Sequence, residues 1–253
     1  MRQLWTSSTL AHAQATCAKL MLPLQRWTVA KQQSEPDLNE DASAVSRQRR
    51  TYVLSDGASE SFSSKRWAKV LVAKYLRKPA IDMEWLRQAI ASYEKAFDRE
   101  QMSWSAQASY DRGSFATLLA LVFDDDHQGL NIVGVGDTLV VLDDGEELCA
   151  SFPYTKAEQF KANPLLLSTI PDRNSSLLED LPTAYWRLDG NPKARIYCMT
   201  DALGAWLLAN AEERLPILRA LGSRDEFVEM VESARAAGDM RRDDSTLLVL
   251  GWG

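Results

Sequence analysis

The chain has 253 residues, 45% of them hydrophobic and 25% charged, with a formal net charge of −6. This is globular composition, long enough for one large domain or two small ones, and the negative balance excludes a general nucleic-acid binder, which needs a basic face. Only His12 and His127 are present, and Cys17, Cys149 and Cys198 are widely spaced, which excludes a mechanism built on several histidines and any Cys/His zinc pattern. Two of the cysteines lie in apolar runs and read as small buried hydrophobes in a reducing compartment. No apolar run approaches the ~20 residues that span a bilayer. The mild apolar segment Cys17 to Leu24 is interrupted by Lys19, ends at Pro23 and lacks the form of a signal peptide. The expectation is a soluble cytoplasmic protein.

In chain order, residues 1–25 form an extension whose one legible feature is a short helical pattern from Thr9 to Met21. Trp27 to Ala30 reads as a strand and Lys31 to Leu38 as a loop. Glu40 and Asp41 then lead into a short strand through Val45, and Thr51–Ser55 is an apolar run that stops at Asp56-Gly57. Ser61, Ser63 and Ser64 are helix-capping types. Trp67, Val70, Leu71 and Tyr75 share one helical face. After Pro79 and the cap Asp82, Leu86, Ile90, Tyr93 and Phe97 repeat at helical spacing toward Trp104. Two amphipathic helices of this kind need a sheet to cover.

Tyr110 to Ser114 reads as a turn and Phe115 to Phe123 as one long strand. Asp124-Asp125-Asp126-His127 reads as a solvated hairpin tip. Leu130 to Gly134 and Thr138 to Leu142 are strands, and Asp143-Asp144-Gly145 signals a second hairpin, so an antiparallel meander is expected. Residues 151–183 carry four prolines and read as an insertion of loops and short helices. Ala194 to Met199 is a strand ending at Thr200-Asp201. Ala205 to Leu221 is helical with an interruption at Pro216, and Asp225 to Ala237 is a helix with Phe227, Met230 and Val231 inward and Gly238 at its end. Asp243-Asp244-Ser245 precedes the last strand, Thr246 to Leu250. Most of the eight tryptophans fall in helical or strand patterns and are expected in the core.

Four acidic stretches therefore share a context: Glu40/Asp41, Asp56, Asp201 and Asp243/Asp244, three of them at the end or start of an apolar strand. Each alone reads as a turn former. Gathered at one rim of a sheet they would repel one another unless protons or cations compensated, and an oxygen-only set selects a hard ion such as Mg²⁺ or Mn²⁺.

The series Asn39-Glu40-Asp41, Ser55-Asp56-Gly57, Gly113-Ser114, Gly136-Asp137-Thr138, Thr200-Asp201 and Asp243-Asp244-Ser245-Thr246 resembles, in order, the motifs of the metal-dependent type 2C protein phosphatases (the PPM family), bacterial type, from about Trp27 to Leu250. The resemblance implies an α+β fold, two packed antiparallel β-sheets flanked by helices, as a single catalytic domain over residues 26–253 with 151–183 as a flap. It also implies two Mn²⁺ or Mg²⁺ ions. Asp56 would bridge them with the Gly57 carbonyl as a further ligand, Asp201 and Asp243 would hold the first ion, and Glu40 the second. Asp137 would join Asp201 on a weaker third ion, while Asp41 and Asp244 would support from behind. Asp56 and Asp201 would be the catalytic pair, the ions activating a bridging water for attack on a phosphomonoester.

Two positions depart from the family pattern. The arginine that commonly grips the phosphate, four residues before the glutamate, is Pro36 here, leaving Lys31, Lys65 or Arg66 as substitutes and the phosphate contact unassigned. The histidine found in some members soon after Asp-Gly is also missing, since Ala58, Ser59 and Glu60 follow. The resemblance implies a phosphoserine/phosphothreonine protein substrate and a partner Ser/Thr kinase, with no nucleic acid and no membrane. A catalytically weak relative acting as a signalling sensor or binding module is the alternative, and a hydrolase of small phosphates is a third reading.

Overall fold

The computed structural model describes residues 24–32, 34–125, 128–188 and 191–251. The helix expected from Thr9 to Met21, with His12, Cys17, His127 and Trp252, lies outside them.

The strands are β1 (Leu24–Val29), β2 (Ala42–Ser46), β3 (Thr51–Ser55), β4 (Phe115–Ala116), β5 (Leu118–Phe123), β6 (Gly129–Val135), β7 (Leu139–Asp143), β8 (Leu148–Phe152), β9 (Leu167–Ser168), β10 (Thr183–Arg187), β11 (Arg195–Met199) and β12 (Ser245–Gly251). The helices are α1 (Ser64–Arg77), α2 (Met83–Glu94), α3 (Trp104–Arg112), α4 (Ser175–Glu179), α5 (Asp201–Ala209), α6 (Ala211–Ala220) and α7 (Arg224–Ala236). Two five-stranded antiparallel sheets carry the fold, in the orders β1-β12-β11-β7-β8 and β10-β6-β5-β3-β2.

Alternation along the strands explains the layering. Tyr52 and Leu54 join Leu119, Leu121, Ile132, Ile196, Cys198 and Leu248 in a core between the sheets. The intervening Val53, Leu118 and Ala120 face Trp67, Leu71, Trp85 and Tyr93 of α1 and α2. On the other side Leu139, Val141, Tyr197, Met199 and Leu247 face Trp206, Leu215, Phe227 and Val231 of α5 to α7. Strands covered on both faces have no polar side, which is why they read as unbroken apolar runs. The fold is a sandwich of helix, sheet, sheet and helix layers, as the resemblance implies.

Several expectations are corrected. The meander is divided: β5 and β6 pair in one sheet while β7 and β8 pair in the other, so Gly136-Asp137-Thr138 is a crossover between sheets. Gly136 makes that turn possible with φ of +91°, and a Cβ there would stand 2.6 Å from Thr117 Cγ2. The run Phe115 to Phe123 breaks at Thr117, whose backbone turns to Asp56, and the short β4 pairs with β9.

The second helix ends at Glu94, and α3 follows where a turn was expected. Trp104 opens α3 and is 85% exposed, against the expectation of a core tryptophan. The helical break falls at Asn210, which caps α6, while Pro216 sits inside it, its fixed φ being helical and its cost one backbone bond. Met230 and Val70 are half-buried, and β10, unanticipated, extends the second sheet beside β6. Cys198 is buried and Cys149 exposed, both as free thiols. No helix among the described residues is long and apolar enough to cross a membrane.

Candidate functional site

The register places the acidic stretches at one edge of the sandwich. Ala42 pairs with Ser55, which brings the start of β2, after Glu40-Asp41, beside the end of β3, before Asp56. Val29 pairs with Ser245, and Met199 with both Leu247 and Leu139. The end of β1, the start of β12, the end of β11 and the start of β7 therefore share the rim, and with them Lys31, Asp243, Asp244, Asp201 and Asp137.

Threonines fix this rim. Asp56 N–H donates to Thr117 Oγ1 (2.8 Å), Thr117 N–H donates to the Asp56 carbonyl (2.8 Å), and the Thr117 and Thr138 hydroxyls meet at 2.5 Å. The Asp56 backbone is thus clamped to the crossover that carries Asp137. Thr246 Oγ1 donates to Asp41 Oδ2 at 2.6 Å, and Thr200 Oγ1 stands 3.4 Å from the same oxygen. Asp41 Oδ1 is a buried acceptor with no partner. Asp41 as a residue keeps some exposure, but its carboxylate faces inward.

Electrostatics ties the acids together. Burial, then the charges of Asp41, Asp201, Asp243 and Asp137, push the Asp56 carboxyl well above the ordinary range. Burial pushes Asp41 up to about 8, with Asp244, Asp201 and Asp243 adding to it against the Thr246 hydroxyl. Asp137 rises to about 6 through burial and Asp201. Asp201 is raised by burial, opposed by Arg241. Mutual elevation of this kind is what several carboxylates produce when gathered without enough cations.

The remaining expected residues are placed as follows. Glu40 is turned to Lys31 Nζ (2.9 Å) and to the Ser64 hydroxyl. Asp244, buried, accepts Lys31 N–H and Glu40 N–H at 2.7 Å each, so it holds that loop to the start of β12. Asp243 accepts Arg241 at 3.0 Å and Asp244 N–H at 2.9 Å. Gly57 bridges to Ala116, and a Cβ on it would meet the Ser64 backbone.

Of the three cations considered as substitutes at the phosphate, Lys31 is at the rim, bonded also to Ser59 Oγ (2.8 Å). Lys65 is tied to the Asp37 carbonyl, and the Arg66 guanidinium lies 5.7 Å from the Phe97 ring centre. Arg241, which sequence reasoning passed over, bonds Asp201 and Asp243 together. Its signal was the basic pair preceding Asp243. Thr117, Thr200 and Thr246 were also missed as supports, though two of them stand inside the quoted motifs.

As the side chains lie, no group of three or more His, Cys, Asp or Glu among the described residues closes around a common point. The donor set nevertheless fits hard divalent ions: oxygens only, carboxylates pushed up by burial and by one another's charge, and an orphaned Asp41 oxygen.

The sequence matches no protein-family model and no curated protein sequence. Solved structures do match. The PPM Ser-Thr phosphatase MsPP from Mycobacterium smegmatis, in complex with cacodylate, superposes with a TM-score of 0.58 at 19% identity over 91% of this chain and 98% of that one. Serine/threonine phosphatase Stp1 from Staphylococcus aureus gives 0.60 at 18% identity over 92% and 96%.

This chain has the PPM phosphatase fold.

The catalytic domain of serine/threonine protein phosphatase PstP, in complex with two manganese ions, shares that PPM fold at a TM-score of 0.57 and 17% identity, over 91% of this chain and 98% of that one.

Proposed function

We propose that the chain is a Mn²⁺- or Mg²⁺-dependent phosphoprotein phosphatase acting on phosphoserine or phosphothreonine. One observation carries this reading: Asp41, Asp56, Asp137, Asp201 and Asp243, spread over two sheets and some two hundred positions of sequence, are electrostatic neighbours at one rim. In this reading Asp56, Asp201 and Asp243 hold the ions, with Glu40, the Gly57 carbonyl and Asp137 completing the set. Bound divalent ions lower the pKa of water and screen the charge of a phosphate group.

This chain's own residues do the rest. Thr117 fixes the backbone of Asp56 to the crossover. Thr246 orients Asp41 through one oxygen and leaves the other buried without a partner, where it can accept a proton. Asp244 sets the loop that carries Lys31 and Glu40. Lys31 and Arg241 supply positive charge at the rim, where the family pattern has an arginine and this sequence has Pro36. Residues 26–253 act as one catalytic unit with 151–183 as a flap, and a Ser/Thr kinase of the same cytoplasmic compartment makes the substrate.

The test is hydrolysis of p-nitrophenyl phosphate by metal-stripped protein with Mn²⁺ or Mg²⁺ restored, beside Asp201→Asn. The expected result is activity that requires the ion and collapses in the variant.

The contact of Arg241 with two of the proposed ligands supports a second reading, a weakly catalytic relative that binds partners or ions. Folded protein that takes up Mn²⁺ but hydrolyses neither p-nitrophenyl phosphate nor a phosphopeptide would favour it.

A further inference from the structure

A recess of about 530 Å³ opens at the opposite end of the first sheet, where β11 begins at Arg195 and β12 ends at Gly251. Six residue steps separate Arg195 from Asp201, so at ~3.3 Å per step the recess lies ~20 Å from the acid rim. Its volume is in the range of small-molecule sites.

The charge of this recess is opposite to that of the protein. In a chain of net −6, Lys193, Arg195 and Arg219 line it with, among the described residues, a single acid, Asp143. Asp143 is wholly buried and already matched: Arg219 donates to its two oxygens at 2.9 and 2.6 Å, and Gly145 N–H at 2.7 Å. That pairing neutralises Arg219 and anchors the wall. The neighbouring Asp144 turns its carboxylate to the backbone of Glu146 and Glu147, both at 2.8 Å. Among the described residues Lys193 and Arg195 have no carboxylate partner. Arg195 is held by its Nη1 donating to the Arg219 carbonyl at 3.1 Å. These two cations, without a carboxylate partner among the described residues and one of them held in place by the recess wall, meet an apolar flank formed by Pro192, Ala194, Leu221 and Val249.

We propose that this recess is a second, anion-binding site that takes the dianionic head of inorganic phosphate or of a small phosphomonoester. A guanidinium and an ammonium lining one recess suit a tetrahedral oxyanion, and the apolar flank gives room for an organic body. The site is independent of the chemistry at the acid rim.

The experiment is isothermal titration of the full chain in EDTA with inorganic phosphate, phenyl phosphate and chloride. Metal-free, the acid rim lacks the ions proposed to hold phosphate there, and Arg241→Ala reports any binding that remains at it. Saturable binding of phosphate is expected, tighter for phenyl phosphate if the flank takes an organic body and equal if the occupant is the free ion. Arg195→Ala and Lys193→Glu, each verified as folded by circular dichroism, should weaken it by about tenfold or more, while Arg241→Ala at the rim leaves it unchanged. Arg219→Ala is avoided because it would strand Asp143 as a buried unpaired charge. No saturation up to about 10 mM, binding that survives both recess variants, or binding lost with Arg241 would each overturn the proposal.

Discussion

The guanidinium of Arg241 donates to the carboxylate of Asp201. The same nitrogen reaches Asp243 Oδ2 at 3.0 Å, so one tethered cation sits on two acids that the phosphatase reading assigns to the first metal ion. A divalent ion entering there must displace it. The Arg241 side chain is 56% exposed, so solvent screens the contact and ~1 kcal/mol is a fair discount of its strength. Arg241→Ala should therefore bind Mn²⁺ about fivefold more tightly, measured by titration calorimetry on metal-stripped protein. Unchanged or weaker affinity would show that the guanidinium does not compete for these acids.

The elevated carboxylates give a pH signature. Asp41 rises to about 8 and Asp137 to about 6 from an ordinary 3.8. Unfolding returns both to that ordinary value, so between it and the folded value the folded protein holds more protons than the unfolded chain. Stability then falls as pH rises, up to about pH 6 for Asp137 and on to about pH 8 for Asp41. Each group contributes at most ~1.4 kcal/mol per pH unit. The urea midpoint of metal-free protein should drop between about pH 5 and about pH 8, and saturating Mn²⁺ should flatten the slope. A midpoint that climbs over this range without metal would mean that these acids are not crowded.

Asp244 holds a loop through two backbone donors, Lys31 N–H and Glu40 N–H at 2.7 Å each. Asparagine can accept from one and turns an NH₂ toward the other. Asp244→Asn should cost ~1–2 kcal/mol, and Asp244→Ala, which strands both part-buried donors, ~2–4 kcal/mol. Urea titration measures both. Because the loop carries Lys31 and Glu40, Mn²⁺ affinity should fall in the same order.

The parts of this molecule that could be read from sequence are those set by local periodicity. β3, β11 and β12 announce themselves as apolar runs because both faces are covered, and Asp82 announces α2 because its side chain caps Trp85 N–H. The acids were legible for a related reason: a carboxylate interrupting a buried run stands out. What escaped was set by pairing partners distant in sequence. Nothing local says that β6 and β7 part into different sheets, that Thr117 breaks its strand to clamp Asp56, or that Arg241 folds back on Asp201. Trp104 misled because its pattern fits a core helix, whereas the chain restarts there with a new helix capped by Ser103.

Gly57 tests the rim by its backbone alone. A Cβ built on it would stand 2.8 Å from the Ser64 carbonyl carbon and 3.0 Å from the Ser64 oxygen. These are backbone atoms of the first residue of α1, so no side-chain rotation relieves the clash. Gly57→Ala must shift the start of the helix, at the ~1–3 kcal/mol typical of overpacking. Ser64 is bonded to Glu40 and Gly57 follows Asp56 in the chain, so the shift reaches two proposed ligands together. The expected outcome is a lower urea midpoint and a larger proportional loss of metal-dependent hydrolysis. Gly222→Ala is the control, since its Cβ would meet nothing nearer than a Glu226 carboxylate oxygen at 3.6 Å, and its stability should stay within ~0.5 kcal/mol of the parent. If Gly57→Ala matched the control in both measurements, α1 would not be pressed against the Asp56-Gly57 turn, and the close packing of that turn would have no part in positioning the acids.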